Sequence, residues 1–206
     1  MFRRHKLLLL IILWGTITAF GLHSLMTYKG TPGAVGHTPE TWPHNELIAN
    51  PSAKPLLVMF AHPRCPCTKA SLGELELLVA QAKDRFAAAV LFYEPENGSA
   101  AWSKTASVEM ARSIPGVRVI IDRQGAQAKR FAAETSGHTV VYSRTGQLLF
   151  SGGITGARGH LGENGGFDSV LKLVRQDASP SLPRKTDVFG CGLFDRCIIT
   201  QTAQRN

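Results

Sequence analysis

The sequence predicts an α/β domain with a largely parallel β-sheet, placed after one apolar N-terminal helix. Short apolar runs alternate with longer amphipathic stretches from residue 56 onward, a pattern typical of βαβ units. The last two apolar runs flank Arg144-Thr145-Gly146 and therefore predict a β-hairpin at the edge of the sheet. The chain has 206 residues, which suffices for one domain of ordinary size with attachments.

The N-terminus predicts a membrane anchor. Arg3, Arg4 and Lys6 precede an apolar run over residues 7–26, and about 20 apolar residues can cross a bilayer as a helix. The positive-inside rule keeps the basic flank, residues 1–6, in the cytoplasm and places the rest outside. Because the run is long and no clear A-x-A site follows it, we expect an uncleaved signal anchor rather than a cleaved signal peptide. We therefore expect a single-pass protein of a bacterial inner membrane with a periplasmic C-terminal domain.

Three segments follow the anchor. Residues 27–54 are rich in Gly, Pro, Thr and Asn and show no period, so they predict a linker that begins to order near Trp42. Residues 55–176 form the predicted folded domain. Residues 177–206 form a Pro- and Ser-rich tail that contains Cys191 and Cys197.

Each element of the domain follows from its local pattern. Strands are predicted at the short apolar runs, which are residues 56–61, 88–93, 117–121, 139–143 and 147–151. Helices are predicted at the amphipathic stretches, which are residues 68–86, 102–113, 125–135 and 165–176. In the helix predicted over residues 68–86, Leu72 and Leu75 lie on the apolar stripe, while Glu74 and Glu76 fit the solvated face.

The net charge of +8 does not indicate nucleic-acid binding. Three of the positive charges belong to the anchor flank, and the other basic residues are scattered among acidic ones. A nucleic-acid site usually needs a cluster of Lys and Arg on one face, and none appears here. We attribute the charge to membrane topology and solubility and expect no nucleic-acid partner.

Cys65 and Cys67 form the strongest functional signal in the chain. They lie at the junction of the first strand and the first helix, with only Pro66 between them. The free N–H groups at a helix N-terminus favour thiolate over thiol, and Arg64 and Lys69 add positive charge. Because a thiolate attacks disulfides and binds soft metals, the pair predicts redox or metal chemistry. The alternative is a structural disulfide or two inert buried thiols.

The two cysteines are expected to have different roles. Cys65 is nearer the strand end, so we expect it to be the more exposed thiol and the nucleophile. Cys67 lies at the helix start and is expected to resolve the mixed disulfide. Pro66 fixes its own φ and makes the turn stiff, and a strained, exposed disulfide tends to be labile and oxidising.

The order of elements resembles the thioredoxin fold over about residues 55–176. The resemblance implies a central mixed sheet flanked by helices, with the cysteines at the start of the first long helix. The C-P-C turn departs from the usual C-x-x-C of thioredoxins. A second departure is the segment Ser136-Gly137-His138-Thr139, which has no proline where a thioredoxin carries a cis-proline facing its cysteines.

The whole chain also resembles a group of membrane-anchored bacterial proteins described as RedB-like. The resemblance is carried by FAHPRCPCTKASLGEL, LLFSGGITGARGH, VFGCGLF and the TPG after the anchor. It implies a thioredoxin-like domain outside the cytoplasmic membrane and says little about the reaction. A proline often follows the tail cysteine in that group, whereas Gly192 follows Cys191 here.

A second resemblance suggests a metal function. Copper-handling proteins of the Sco type share this fold, with two cysteines at the helix start and a histidine just before the hairpin strand. It implies a copper site formed by Cys65, Cys67 and His138, although Sco proteins space their cysteines C-x-x-x-C. The competing interpretation of His138 is a partly exposed loop histidine.

The remaining features leave their alternatives open. Cys191 and Cys197 can form a disulfide with each other, staple the tail to the domain, or act as a second redox pair. Their spacing is a poor fit to a zinc site. A Gly-rich stretch with Arg158 and His160 can form a loop beside the cysteines.

The sequence thus predicts a thiol–disulfide oxidoreductase without a cofactor, acting on protein thiols and disulfides at the membrane surface. A copper-binding assembly protein is the first alternative. A thioredoxin-fold binding module without catalysis is the second.

Overall fold

The computed structural model describes residues 2–43, 48, 54–176 and 182–194. Six strands form one sheet: β1 Leu56–Ala61, β2 Ala87–Glu94, β3 Val117–Arg123, β4 His138–Tyr142, β5 Leu148–Gly152 and β6 Arg184–Lys185. Five α-helices accompany them: α1 Phe2–Gly30, α2 Thr68–Ala82, α3 Ala106–Ser113, α4 Ala126–Arg130 and α5 Gly165–Gln176. A short 3-10 turn, Lys83–Arg85, follows α2.

The strand order of the sheet is β3-β2-β1-β4-β5-β6. Strands β1, β2 and β3 are parallel, whereas β4 runs antiparallel to both β1 and β5. Strand β6 lies parallel to β5. A βαβ unit followed by an antiparallel hairpin and a last helix is the thioredoxin-like arrangement. The predicted fold class, a mixed sheet with flanking helices, is confirmed.

The central strand β1 is buried on both faces, as expected of a strand with paired neighbours and covering layers. Its alternate residues enter two different apolar clusters. Leu57 and Met59 pack with α2 and α5 on one side, while Val58 and Phe60 pack with Phe131 on the other. Cys65 and Cys67 come shortly after this strand in the chain, so the packing of β1 in the core positions the cysteine turn.

Helix α2 presents the predicted stripe, and Leu72, Leu75 and Leu78 are fully buried. The expectation that Glu74 is solvated is wrong. Its side chain is only 2% exposed, because the Gly-rich loop folds over it and the N–H of Gly162 donates a 2.6 Å hydrogen bond to Glu74 Oε1.

Several helix ends differ from prediction. Helix α2 ends at Ala82 rather than residue 86, since Lys83 has a φ of 48°. Helix α3 starts at Ala106 rather than residue 102, because the Thr105 side chain accepts a hydrogen bond from the Val108 N–H and caps the helix there. Helix α4 stops at Arg130, and the nearby Ala132 has a φ of 52°. Positive φ values leave the helical region, and hydrophobic periodicity does not reveal them.

The N-terminal helix α1 is a candidate membrane anchor or signal segment. Residues Arg4–Gly30 are long and apolar enough to cross a membrane, and the large apolar side chains along α1 are mostly exposed. The helix extends past the predicted end at residue 26 and reaches Gly30.

Parts of the predicted linker and tail pack on the domain. Ordering begins before Trp42: the Gly33 N–H donates to Val188 O at 2.8 Å, and the Leu148 N–H donates to Glu40 O at 2.8 Å. The Trp42 ring lies 5.2 Å from the ring of Phe131. In the tail, β6 extends the sheet, and residues up to 194 fold back towards the cysteine turn. Cys197 lies outside the described residues.

Candidate functional site

The cysteine turn is held by backbone hydrogen bonds at the end of β1. The N–H of Cys65 donates to His62 O at 3.1 Å, and the N–H of Thr68 donates to Cys65 O at 3.1 Å. Cys67 caps α2 with helical φ and ψ of −70° and −23°. Both cysteines therefore lie at the helix N-terminus, where thiolate is favoured.

A third cysteine, Cys191, completes the site from the tail. Its Sγ atom lies 2.7 Å from Cys65 Sγ, and its backbone N–H points at Cys65 Sγ with an N–S distance of 3.4 Å. The contact joins residues that are 126 positions apart in the chain. Sequence spacing could not reveal this pairing, since it depends on the path of the tail.

The expectation that Cys65 is the more exposed thiol is wrong. Cys65 is 1% exposed and Cys67 is 7% exposed. The physical reason is the tail, because Cys191 covers the Cys65 sulfur. A partner can reach Cys65 only after the tail moves away from it.

The tail residues 190–194, which we call the strap, are fastened to the segment before β4. The N–H of Ser136 donates to Cys191 O at 2.9 Å, and the N–H of Leu193 donates to Glu134 O at 2.7 Å. Thr135 and Gly192 form an antiparallel bridge between these hydrogen bonds. The contacts pair the strap with the backbone of residues 134–136, as an added strand would.

One aliphatic and one aromatic side chain also hold the strap against the domain. Leu193 is buried at 1% exposure. The Phe194 ring lies 5.6 Å from the Tyr93 ring in an edge-to-face arrangement. Backbone pairing and side-chain packing together place Cys191 over Cys65.

Ser136 links the strap to the cysteine turn. Its Oγ accepts a 2.8 Å hydrogen bond from the N–H of His62 and lies 2.9 Å from Thr68 Oγ1. The Thr68 hydroxyl also donates to His62 O at 3.0 Å. This buried polar group ties the segment before β4 to the cysteine turn.

The surroundings of Cys65 favour its thiolate. The hydrogen-bonding Cys191 side chain, followed by that of Cys67, holds the pKa of Cys65 well below its usual range. Burial acts in the opposite direction, and the backbone groups of Cys191 and Cys67 lower the pKa further. Hydrogen bonds to the charged form therefore outweigh desolvation at this sulfur.

Cys67 behaves differently. The Cys191 side chain and the Arg158 charge lower the pKa of Cys67, but its hydrogen bond to Cys65, burial and the Cys65 charge outweigh them, so that the pKa is raised. When neighbouring thiols interact, ionisation of one opposes ionisation of the next. The interaction between the two thiols thus lowers the pKa of Cys65 and raises that of Cys67.

Arg158 is the cation that acts on the pKa of Cys67. The predicted cations Arg64 and Lys69 are exposed. The Arg64 guanidinium lies 4.1 Å from the centre of the Trp102 ring, and its backbone N–H donates to His62 Nδ1 at 3.1 Å. Arg158 belongs to the Gly-rich stretch, for which the sequence allowed a loop beside the cysteines.

Arg158 also connects the C-terminal end of α1 to the strap. Its guanidinium donates to Thr31 O at 3.2 Å and to Gly190 O, and it lies 5.0 Å from the centre of the Tyr28 ring. Its backbone N–H donates to Lys29 O at 3.0 Å. The three-thiol site therefore lies next to the C-terminal end of α1.

His138 is buried rather than partly exposed, with 0% accessibility. It is the first residue of β4 and lies opposite Phe60 in the register. Its Nε2 atom lies 2.9 Å from Ser151 Oγ, and burial lowers its pKa to about 4. The histidine is therefore neutral at neutral pH.

The described part of the chain contains no group of three or more His, Cys, Asp or Glu side chains that could hold a metal ion. The Nε2 atom of His138 lies against Ser151 Oγ, and the copper site of Cys65, Cys67 and His138 that the Sco resemblance implies stays a prediction. Of the sequence-predicted site residues, the structure brings together Cys65, Cys67 and Cys191. Buried sulfurs at a helix start, one of them a stabilised thiolate, can perform nucleophilic attack on a disulfide.

Several solved structures are similar to the chain in fold. An uncharacterised conserved protein from Geobacillus kaustophilus superposes with a TM-score of 0.55 at 14% identity, over 78% of this chain and 91% of that one. A hypothetical protein from Sinorhizobium meliloti 1021 gives 0.56 at 16% identity, over 80% and 94%. A secreted disulfide oxidoreductase from Mycobacterium tuberculosis, homologous to E. coli DsbE, gives 0.41 at 16% identity, over 60% and 82%.

No protein-family model matches the sequence, and no curated protein is significantly similar to it. At identities this low, the two similarities above a TM-score of 0.5 concern the fold alone. The chain therefore has a thioredoxin-like α/β fold, and its activity has to be argued from the three thiols.

Proposed function

We propose that the chain is a membrane-anchored thiol–disulfide oxidoreductase, with its domain outside the cytoplasm and Cys65 as the nucleophile. The observation that carries the proposal is the environment of Cys65 Sγ. This sulfur lies 2.7 Å from a second sulfur, and its hydrogen bonds hold its pKa well below the usual range. Low-pKa cysteines close to a second thiol are the reactive groups of disulfide exchange.

The exchange has two steps. The Cys65 thiolate attacks one sulfur of a partner disulfide, which forms a mixed disulfide and releases one partner thiolate. A second thiol of the site, after losing its proton, attacks Cys65 Sγ and releases the other partner sulfur. Two electrons pass to the partner, and the reverse sequence donates a disulfide to a partner dithiol. Stabilisation of the Cys65 thiolate stabilises the reduced protein and so favours the oxidising direction.

The position of the site supports partners at the membrane surface. Arg158 contacts both the end of α1 and the strap, so in this structure the cysteines lie close to the end of the candidate anchor. The basic flank of Arg3, Arg4 and Lys6 favours a cytoplasmic N-terminus, and a periplasmic domain is part of the proposal on that ground. The RedB-like motifs agree with this topology, and membership of that group is part of the proposal.

The test uses the full-length chain in detergent micelles, equilibrated across glutathione redox buffers. Thiols are then trapped, and disulfides are mapped by mass spectrometry. We expect one reversible disulfide that contains Cys65, with a measurable reduction potential, and its loss in Cys65→Ser. Persistence of the Cys65 thiol in oxidising buffer, or irreversible oxidation, contradicts the proposal.

A Cu(I) titration of the same protein separates the metal alternative. We expect His138→Ala to leave Cu(I) affinity unchanged, because His138 is turned to Ser151 rather than grouped with the cysteines. Loss of Cu(I) affinity in this variant, with disulfide exchange intact, would favour the copper-binding protein instead.

A further inference from the structure

Three sulfurs meet at one site, and a disulfide joins only two. Proximity in the sequence predicts a disulfide between Cys65 and Cys67, which are separated by one residue. The tertiary structure offers a second pair, Cys65 and Cys191. The two pairs make different demands on the backbone.

The Cys65–Cys191 pair needs little movement. The sulfurs are 2.7 Å apart, and a disulfide bond is about 2.05 Å long. The strap holds Cys191 in place from both sides, through its own carbonyl to Ser136 N–H and through Leu193 N–H to Glu134 O. The two sulfurs therefore have only a short distance to close before a bond can form.

The Cys65–Cys67 pair is more constrained. Cys67 has helical φ and ψ at the start of α2, and its carbonyl accepts hydrogen bonds from the N–H groups of Ala70 and Ser71. Pro66 fixes its own φ between the two cysteines. A disulfide across this turn closes a small ring, and any backbone adjustment disturbs the first turn of the helix.

We propose that Cys191 is the resolving thiol of this site, so that the redox-active disulfide joins Cys65 to Cys191. This inference rests on the proposed oxidoreductase function and specifies which residue completes its reaction. The strap lifts to admit the partner disulfide and returns with Cys191 to finish the exchange.

The complete reaction transfers two electrons to the partner disulfide and conserves protons. Cys65 thiolate forms a bond to one partner sulfur, and the partner S–S bond breaks to give a thiolate that takes up a proton. Cys191 loses its proton and attacks Cys65 Sγ, the mixed S–S bond breaks, and the second partner sulfur leaves as a thiolate. Cys65 and Cys191 are oxidised, and the partner disulfide is reduced by two electrons.

Cys67 then acts as a positioning residue. Its hydrogen bond helps lower the pKa of Cys65, while its own pKa is raised. Replacement of Cys67 should therefore slow attack by Cys65 at low pH and leave the final disulfide unchanged. Replacement of Cys191 should stop the reaction at the mixed disulfide.

The experiment uses the full-length chain in detergent with Cys197→Ser as background, since Cys197 is the fourth cysteine of the chain. Oxidised glutathione is the probe, and adducts are mapped by mass spectrometry. Because a neighbouring thiol acts at an effective concentration in the millimolar range, we expect the Cys65–glutathione adduct to accumulate about tenfold more in Cys191→Ser than in the background. Cys67→Ser should instead form the Cys65–Cys191 disulfide.

The opposite pattern overturns the inference. If Cys67→Ser accumulates the adduct while Cys191→Ser resolves it to Cys65–Cys67, the oxidoreductase stands and Cys67 is its resolving thiol. If no variant forms any bond at Cys65, both the inference and the proposed function fail.

A glycine variant tests the strap without removing a thiol. A Cβ atom on Gly190 would collide with the Ser136 carbonyl oxygen, whereas a Cβ on Gly165 meets nothing within 4 Å. We expect Gly190→Ala to shift oxidation away from Cys65–Cys191 towards the glutathione adduct, and Gly165→Ala to behave as the background. An unchanged product distribution in Gly190→Ala, with the strap displaced as judged by faster alkylation of Cys65, contradicts the inference.

Discussion

The backbone N–H of Ser136 donates a 2.9 Å hydrogen bond to the carbonyl of Cys191, while the hydroxyl of Ser136 holds the turn that carries Cys65. Ser136, which precedes β4, thus helps to position both sulfurs of the proposed disulfide. The backbone group serves the strap and the side chain serves the cysteine turn, so the two contributions can be separated by mutation.

Ser136→Ala should destabilise the domain while leaving the strap attached. The variant removes the acceptor of the buried His62 N–H, and loss of a buried hydrogen-bond partner costs about 1–3 kcal/mol. Thermal unfolding of the full-length protein, followed by near-UV circular dichroism, measures the change. Ser103→Ala is the matched control, since that hydroxyl makes an exposed local bond. Equal melting temperatures for the two variants would refute this role of Ser136.

Cys191→Ala should raise the pKa of Cys65. The Cys191 side chain is the largest contributor to the lowered pKa, and the Cys67 side chain is the second, so Cys67→Ala should raise it less. The pH midpoint of Cys65 alkylation, measured by mass spectrometry on the reduced protein, reports the pKa even if the absolute rate changes with exposure. A larger shift in Cys67→Ala than in Cys191→Ala would contradict the assigned order.

Arg158→Gln should raise the pKa of Cys67 further, because the guanidinium charge lowers it. Arg64→Gln is the control: Arg64 neighbours the cysteines in sequence but lies over the Trp102 ring, so it should leave the thiol unchanged. Alkylation of the Cys67 peptide as a function of pH distinguishes the variants. Arg158→Lys should restore part of the effect because it keeps the charge. A shift in Arg64→Gln alone would reverse the assignment.

We expect the titration of buried His138 to lower the free energy of unfolding of the domain as the pH falls. Its pKa falls from 6.5 to about 4 on burial, so the unfolded chain binds more protons than the folded one between these values. Stability therefore rises with pH through this window and is lost as the pH falls from 7 to 4, by about 3 kcal/mol. The measurement is the free energy of unfolding at several pH values.

His138→Gln supplies the comparison for this pH dependence. The variant has no titrating ring, so its stability should change less between pH 7 and 4, whatever its absolute stability. Asp122, whose pKa is raised by burial, titrates with the opposite sign in both proteins and cancels in the difference. Parallel pH profiles for the two proteins would show that His138 is not the source.

Much of the fold could be predicted because it depends on local pattern. The run Leu56–Ala61 and the helix Gly165–Gln176 have the predicted bounds, since continuous apolar runs and helical periodicity are properties of neighbouring residues. The 3-10 turn was not predicted, and the helix predicted over residues 125–135 spans only Ala126–Arg130. Their causes, the positive φ values of Lys83 and Ala132, are backbone conformations that residue type does not announce.

The candidate site was predicted in part for the same reason. Cys65 and Cys67 stand out because a strand-to-helix junction can be recognised from sequence, and the helix start favours a thiolate. Proximity in sequence favoured Arg64 as the cation at the site, whereas the Gly-rich loop brings the Arg158 charge close enough to lower the pKa of Cys67. Side-chain direction at a turn depends on what packs there, here Trp102.

The sequence by itself determined the α/β fold class, the apolar N-terminal helix and the position of a cysteine pair after β1. These follow from periodicity, length and residue type over short stretches. Only the tertiary structure decided that Cys191 covers Cys65, that His138 is buried against Ser151, and that Arg158 joins the end of α1 to the strap. Each of these depends on the path of the tail and loops across the sheet, where contacts join residues far apart in the chain and no local pattern encodes them.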